Sequence, residues 1–210
     1  GNDFSTAYMQ LVYEVGELFK KHEYLMESPV LNAEEKKKFD DIRYGRAGKI
    51  EVMRSLQILS EFLSKYYNKS VILLIDEYDV PMARATSNGY YKEMLEIMKG
   101  FMQALKDNQC IKLAVITGCL KIAKESIFTG TNNFVSNTIT SSRLNEYYGF
   151  VQNEVDRILE DAEIKGKGDI MKKWYDGYHF GDVDVYCPWD VMCYVDDLQK
   201  NPNAKPDEYW

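Results

Sequence analysis

The chain has 210 residues, 45% of them hydrophobic, enough for one sizeable core or for one domain with a small appendage. Its formal net charge of −7 argues against a dedicated nucleic-acid binder, which shows a basic stripe. No apolar run approaches the ~18 residues of a membrane-spanning helix and no signal peptide is visible, so a cytoplasmic protein without a membrane partner is expected.

Ser5 is placed to cap a first helix, on which Tyr8, Leu11, Val12, Val15, Leu18 and Phe19 share one face. After Ser28-Pro29, Asn32 with Glu35 three residues on predicts a capping box and a charged helix to about Ile42. Its Lys36-Lys37-Lys38 run follows Glu34-Glu35 and reads as a solvated face. A third helix is expected with Val52, Leu56, Leu59, Leu63 and Tyr66 as its buried stripe. Val71–Ile75 then reads as a buried parallel strand that ends abruptly in Asp76, Glu77, Tyr78 and Asp79. Past Ser87-Asn88-Gly89 a long helix over about 90–106 carries a stripe rich in Met, expected to be core. Ile111–Ile116 is a second apolar strand. Strand, helix, strand in this order predicts a βαβ unit with the two strands parallel. The stretch 121–148 is polar and reads mostly as loop. Helices over about 152–163 and before Trp174, a hairpin around Gly181-Asp182 and a last helix opened by Pro188 complete the chain. The expected fold is α/β: a parallel-sheet core over 1–150 and a helical C-terminal appendage with a short hairpin over 151–210.

An apolar strand ending in Asp-Glu is the Walker B pattern of P-loop ATPases, in which the Asp holds Mg²⁺ and the Glu orients the attacking water. Neighbouring strand residues point to opposite sides, so Asp76 and Glu77 can serve different partners. The alternative is a plain polar turn in which Asp79 makes an Asx-type bond ahead of Pro81. Thr117 ends the second strand and is expected beside Asp76. It is either a γ-phosphate sensor or a residue satisfying the strand-to-loop turn. No G-x-x-x-x-G-K-[ST] phosphate cradle is present. The nearest piece, Gly45-Arg46-Ala47-Gly48-Lys49-Ile50, has the wrong spacing and lacks the hydroxyl that would bind Mg²⁺. Cys110, Cys119, Cys187 and Cys193 form no C-x-x-C pair, which argues against zinc and fits reduced thiols. Glu163-Ile164-Lys165 has the letters of a nuclease strand but lies at a helix end. His22 and His179 read as structural.

Four blocks resemble the bacterial AAA-ATPase-like family. Leu74–Pro81 resembles its LIDEYD-x-P segment, and Thr117–Lys121 its T-G-V-x-K block. Ser126–Asn133 resembles its S-I-F-S-G-x-N-N block. Trp174–Tyr178 with Tyr186–Trp189 resembles its W-Y-[DN]-G-Y and Y-N-P ending. Val80 stands where relatives commonly carry Lys. The resemblance implies a P-loop-type core present here without its Walker A segment. It implies Asp76 as the Mg²⁺ residue, acting via water, Glu77 and Thr117 as catalytic residues, and Asp76 and Asp79 at the cofactor. The parent protein is expected to bind and hydrolyse ATP with Mg, and this chain alone to hold neither tightly. The chain opens Gly1-Asn2-Asp3 without Met and stops at Tyr209-Trp210, so a piece of a longer protein is expected, with Gly1 a processing scar. Two alternatives stand beside the ATPase. One is an ATPase-derived protein-interaction module, with a protein partner or self-association through Tyr66-Tyr67, Tyr90-Tyr91 or Tyr147-Tyr148, half of each pair being core. The other is a regulator of nucleic-acid processing, reached only through the PD-(D/E)XK nuclease-like domain that relatives often carry. Neither Arg84 nor Arg143 is identified as an arginine finger, and a surface salt bridge is expected for each.

Overall fold

A computed structural model describes residues 2–106, 108–119 and 134–209. The Ser126–Asn133 block, Lys121 and the first part of the expected 121–148 loop lie outside the described residues. The chain divides into two compact units, Gly1–Asn133 and Phe134–Trp210. Residues 134–150, placed with the first domain by the sequence reading, group with the second unit. The reason is local: Phe150 bridges Tyr186, and Asn145 donates to Phe180 O and to Asp182 Oδ1, each at 2.7 Å.

The first unit is mostly helical. Helix α1 spans Phe4–Lys20 and is capped two residues earlier than expected: Asp3, not Ser5, accepts the Thr6 amide at 2.9 Å. Its predicted face does turn inward, with Val15 and Phe19 buried. Helix α2, Ala33–Arg43, opens on the predicted reciprocal box. The Glu35 amide donates to Asn32 Oδ1 at 2.9 Å, and the Asn32 amide to Glu35 Oε2 at 2.8 Å. α1 lies against α2 closely enough that a Cβ on Gly16 would stand 2.8 Å from Arg43 O, so only Gly fits there. The third expected helix is two, α3 (Lys49–Met53) and α4 (Ser55–Tyr67), parted at Arg54. The break rotates the buried stripe: Val52, Ile58, Leu59 and Phe62 are inside, and Tyr66 is exposed. Asn68 closes α4 in the left-handed conformation that a short polar side chain tolerates.

Strands β1 (Val71–Ile75) and β2 (Ile111–Ile116) pair in parallel, as the strand–helix–strand order predicts. Between them run α5 (Val80–Ser87) and α6 (Tyr91–Met102). α5 was not read from the sequence, although Pro81 in its first turn is a start signal. The Met-rich stripe of α6 is core, with Met94, Met98 and Met102 buried.

The expectation of a buried strand is corrected. Register places Ile72 beside Leu113 and Leu74 beside Val115, and all four are exposed, Leu74 to 72%. Leu73, Ala114, Ile75 and Ile116 are half-buried on the other face, where α4 packs on β1. A two-stranded sheet offers two faces, and the helices of this unit cover one. Parallel sheets are normally covered on both.

The second unit packs α7 (Gln152–Asp161), α8 (Gly168–Tyr175) and α9 (Pro188–Lys200) with a hairpin of β3 (Tyr178–Phe180) and β4 (Val183–Val185). The hairpin turns at Gly181-Asp182 as predicted, and Pro188 opens α9. Its core joins Val155, Met171, Tyr175, Tyr186, Val191 and Tyr194. Buried tyrosines keep their hydroxyls satisfied: Tyr175 donates to Asp207 O at 3.1 Å and Tyr194 to Ala204 O at 3.3 Å. Tyr186 donates to Gln152, and burial pushes its hydroxyl up to about 12. Asn145 is the buried anchor of the hairpin turn. Replacing it with Ala strands Phe180 O and is expected to lower the stability of this unit by about 1–3 kcal/mol, read from urea unfolding.

Candidate functional site: the acidic edge of the parallel strands

Because β1 and β2 are parallel and Ile75 is level with Ile116, both strands end at the same edge. This is where α/β sheets hold ligands. The backbone beyond the strands stays paired: the Thr117 amide donates to Ile75 O at 2.9 Å, and the Tyr78 amide to Thr117 O at 3.1 Å. Thr117 lies beside Asp76, as its place at the second strand's end predicts, and its hydroxyl donates to Asp76 Oδ1. The Glu77 amide donates to the same oxygen at 3.0 Å. Both bonds fall on Oδ1, so Oδ2 takes no hydrogen bond from a described residue. Asp76 and Glu77 are both exposed.

Glu77 holds a positive φ of 52°, unusual for a residue with a Cβ. The two backbone bonds on either side of it impose this turn. Strain of this kind at a strand end is a mark of functional sites. Asp79 differs from its neighbours. Only 3% exposed, it makes no side-chain cap bond to α5, although it is the N-cap residue. Its Oδ1 instead accepts the Cys119 amide at 3.3 Å. The expected Asx-type bond into the helix is therefore absent, and the carboxylate reaches across to the second strand's turn. That reach needs Gly118: a Cβ there would lie 2.5 Å from Asp79 Oδ1 and 2.7 Å from the Tyr78 ring. The sequence places Gly118 at the strand end without giving it a role, although a Gly directly after a strand-end Thr is the signal for such an approach.

Among the described residues no group of three or more His, Cys, Asp or Glu is placed to hold a metal. The arrangement still fits Mg²⁺, which takes one or two carboxylates and fills its octahedron with waters and phosphate oxygens. Asp76 Oδ2 and the exposed Glu77 carboxylate are hard oxygens of that kind.

The cations of the 45–50 stretch are engaged elsewhere. Arg46 pairs with Asp40 at 2.6 Å and Asp41 at 3.1 Å, and Lys49 with Glu96 at 2.9 Å. Arg84 and Arg143 form no ion pair with a described residue, so the surface salt bridge expected of each is not found there. Arg84 lies on α5 rather than in a loop. His22 Nδ1 lies 3.0 Å from the Tyr24 hydroxyl, and His179 pairs across the hairpin with Asp184 at 2.6 Å. Of the tyrosine pairs only Tyr90 is buried; Tyr66, Tyr67, Tyr147 and Tyr148 are all exposed, so two pairs lack the expected core half. A depression of about 600 Å³ is lined by Lys20, Lys21, Tyr24 and Arg43, none of them at the acidic edge. No helix among the described residues is long and apolar enough to cross a membrane.

The chain is 29% identical over 125 residues to an uncharacterized protein in the vnfD 5′ region of Azotobacter chroococcum mcd 1. That match covers 58% of this chain and 24% of the relative, so the chain spans about a quarter of the length of the relative it matches. No solved structure matches. The family described as Predicted AAA-ATPase matches residues 3–128, a stretch that contains both parallel strands and the whole acidic edge, and the chain belongs to that AAA-ATPase-like family.

Proposed function

We propose that this chain carries the hydrolytic edge of an ATPase, and that its parent protein binds and hydrolyses ATP with Mg²⁺. The carrying observation is the contact of Thr117 with Asp76 across two parallel strands. It leaves one Asp76 oxygen open for a hydrated Mg²⁺ and puts a hydroxyl donor within one residue of the Glu77 carboxylate. In this reading Asp76 holds the ion through water, Glu77 orients the attacking water, and Thr117 reports on the terminal phosphate. Bound Mg²⁺ would neutralise charge on the phosphates. The phosphate cradle is supplied by polypeptide beyond these residues, so this chain alone binds ATP weakly. The test is ATP turnover by the whole protein with and without Mg²⁺. Turnover abolished by EDTA and restored by Mg²⁺ supports the reading. A folded whole protein that neither binds nor hydrolyses ATP sinks it.

The bare sheet face favours a second reading, an interaction module derived from an ATPase. Ile72, Leu74, Leu113 and Val115 form an apolar strip that a partner protein or a second copy would cover. Leu74→Thr with Val115→Thr changes the stability of the chain little, within about 0.5 kcal/mol for each exposed site. If the face mediates self-association, sedimentation equilibrium shows an oligomer that these substitutions dissociate. A monomer at all concentrations removes the self-association form of this reading.

A further inference from the structure

We propose that Asp79 is a positioning residue that locks the Thr117–Cys119 turn to the Glu77 turn, so that phosphate sensing and water orientation move as one body. The inference rests on the ATPase reading and goes beyond it, because it concerns neither metal nor nucleotide contact.

Three observations carry it. Asp79 is buried, while Asp76, Glu77, Thr117, Gly118 and Cys119 around it are exposed. A buried carboxylate is costly unless hydrogen-bonded, so its partners define its purpose. It stands at the N-cap of α5, where an Asp ordinarily accepts amides of its own helix, yet makes no such bond. It accepts the Cys119 amide from the other strand's turn instead. Finally, Gly118 leaves the space this needs, since any Cβ would collide with Asp79 Oδ1 and the Tyr78 ring. The brace therefore has two halves, a carboxylate on the first turn and a missing side chain on the second.

The backbone bond from Tyr78 to Thr117 O already ties the turns once. A second tie, one residue further along the first turn and two along the second, converts a hinge into a fixed plate. Glu77 sits inside that plate in its strained conformation, and Thr117 lies at its rim. Without the Asp79 tie the Thr117 hydroxyl and the Glu77 carboxylate can drift independently. A misplacement of about 1 Å costs up to about 100-fold in a positioned reaction.

The test uses the whole protein and compares Asp79→Ala, Asp79→Asn, Gly118→Ala and the Asp79→Ala/Gly118→Ala double variant. Asp79→Ala and Gly118→Ala are each expected to lower kcat on the order of 10- to 100-fold, with KM and Kd for MgATP unchanged. Asp79→Asn keeps an acceptor for the Cys119 amide and restores kcat. The double variant falls no further than the worse single one, because both break the same tie. In this chain alone, hydrogen exchange at the Cys119 amide accelerates in Asp79→Ala and not in Asp79→Asn. Unchanged kcat in Asp79→Ala, or Asp79→Asn as impaired as Asp79→Ala, overturns the positioning role and leaves the ATPase reading intact. Wild-type protein with no turnover and no ATP binding overturns the ATPase reading, and the positioning role of Asp79 in it. The exchange measurement then still reports whether the brace itself exists.

Discussion

Glu77→Gln in the whole protein is expected to reduce Mg-dependent ATP turnover by about 10²- to 10⁴-fold while leaving ATP binding in place. The amide matches the carboxylate in size, so packing and backbone are retained. It cannot take a proton from water, and it carries no charge to orient one. Glu77 is exposed and its carboxylate makes no hydrogen bond or ion pair with a described residue, so the described fold does not depend on that charge. A second substitution separates strain from chemistry. Glu77→Gly removes the Cβ from a residue at φ 52° and is expected to raise stability by about 1 kcal/mol. It is expected to lower turnover at least as far as Gln does. A protein that becomes more stable and loses its activity marks Glu77 as a residue held in tension for function. A Glu77→Gln protein with wild-type turnover would instead assign the water to another group.

Phe39→Ala is expected to destabilise the first unit by about 3–5 kcal/mol. Phe39 has no exposed surface, and its ring lies 5.0 Å from Phe19 and 6.5 Å from Phe62. It therefore joins α1, α2 and α4 at one point. Truncation loses the transfer energy of the ring and leaves a cavity that three helices cannot close together. A loss of this size is a large share of the roughly 5–15 kcal/mol that stabilises a domain. The reading is a lower urea midpoint with an unchanged slope. α4 also packs on β1, so the acidic edge depends on this core. A loss under about 1 kcal/mol would show that the helices repack around the gap, against the cavity cost expected here.

Local rules read well from this chain wherever the responsible atoms are near in sequence. The Asn32–Glu35 box, the Gly181-Asp182 turn and Pro188 at a helix start each depend on a few adjacent residues. The two apolar strands were legible from their length and β-branched content, and their parallel pairing followed from the helix between them. Two local misreadings have local causes. Asp3 outcompetes Ser5 as cap because its carboxylate takes both the amide and the hydroxyl of Thr6. The break at Arg54 carries no Pro or Gly, so periodicity ran through it.

The sequence by itself determined which residues reach the acidic edge: a strand that ends in Asp76-Glu77 and a neighbour that ends in Thr117 must bring them together once the strands are parallel. Only the tertiary structure decided that Asp79 turns away from its helix toward Cys119, and that Ile72, Leu74, Leu113 and Val115 remain uncovered. The physical reason is the same in both cases. Strand composition reports that a side chain is apolar, and an Asp before a Pro reports that it can cap. Neither reports what lies opposite, because burial and cross-strand hydrogen bonds are properties of the partner surface, which is distant in sequence.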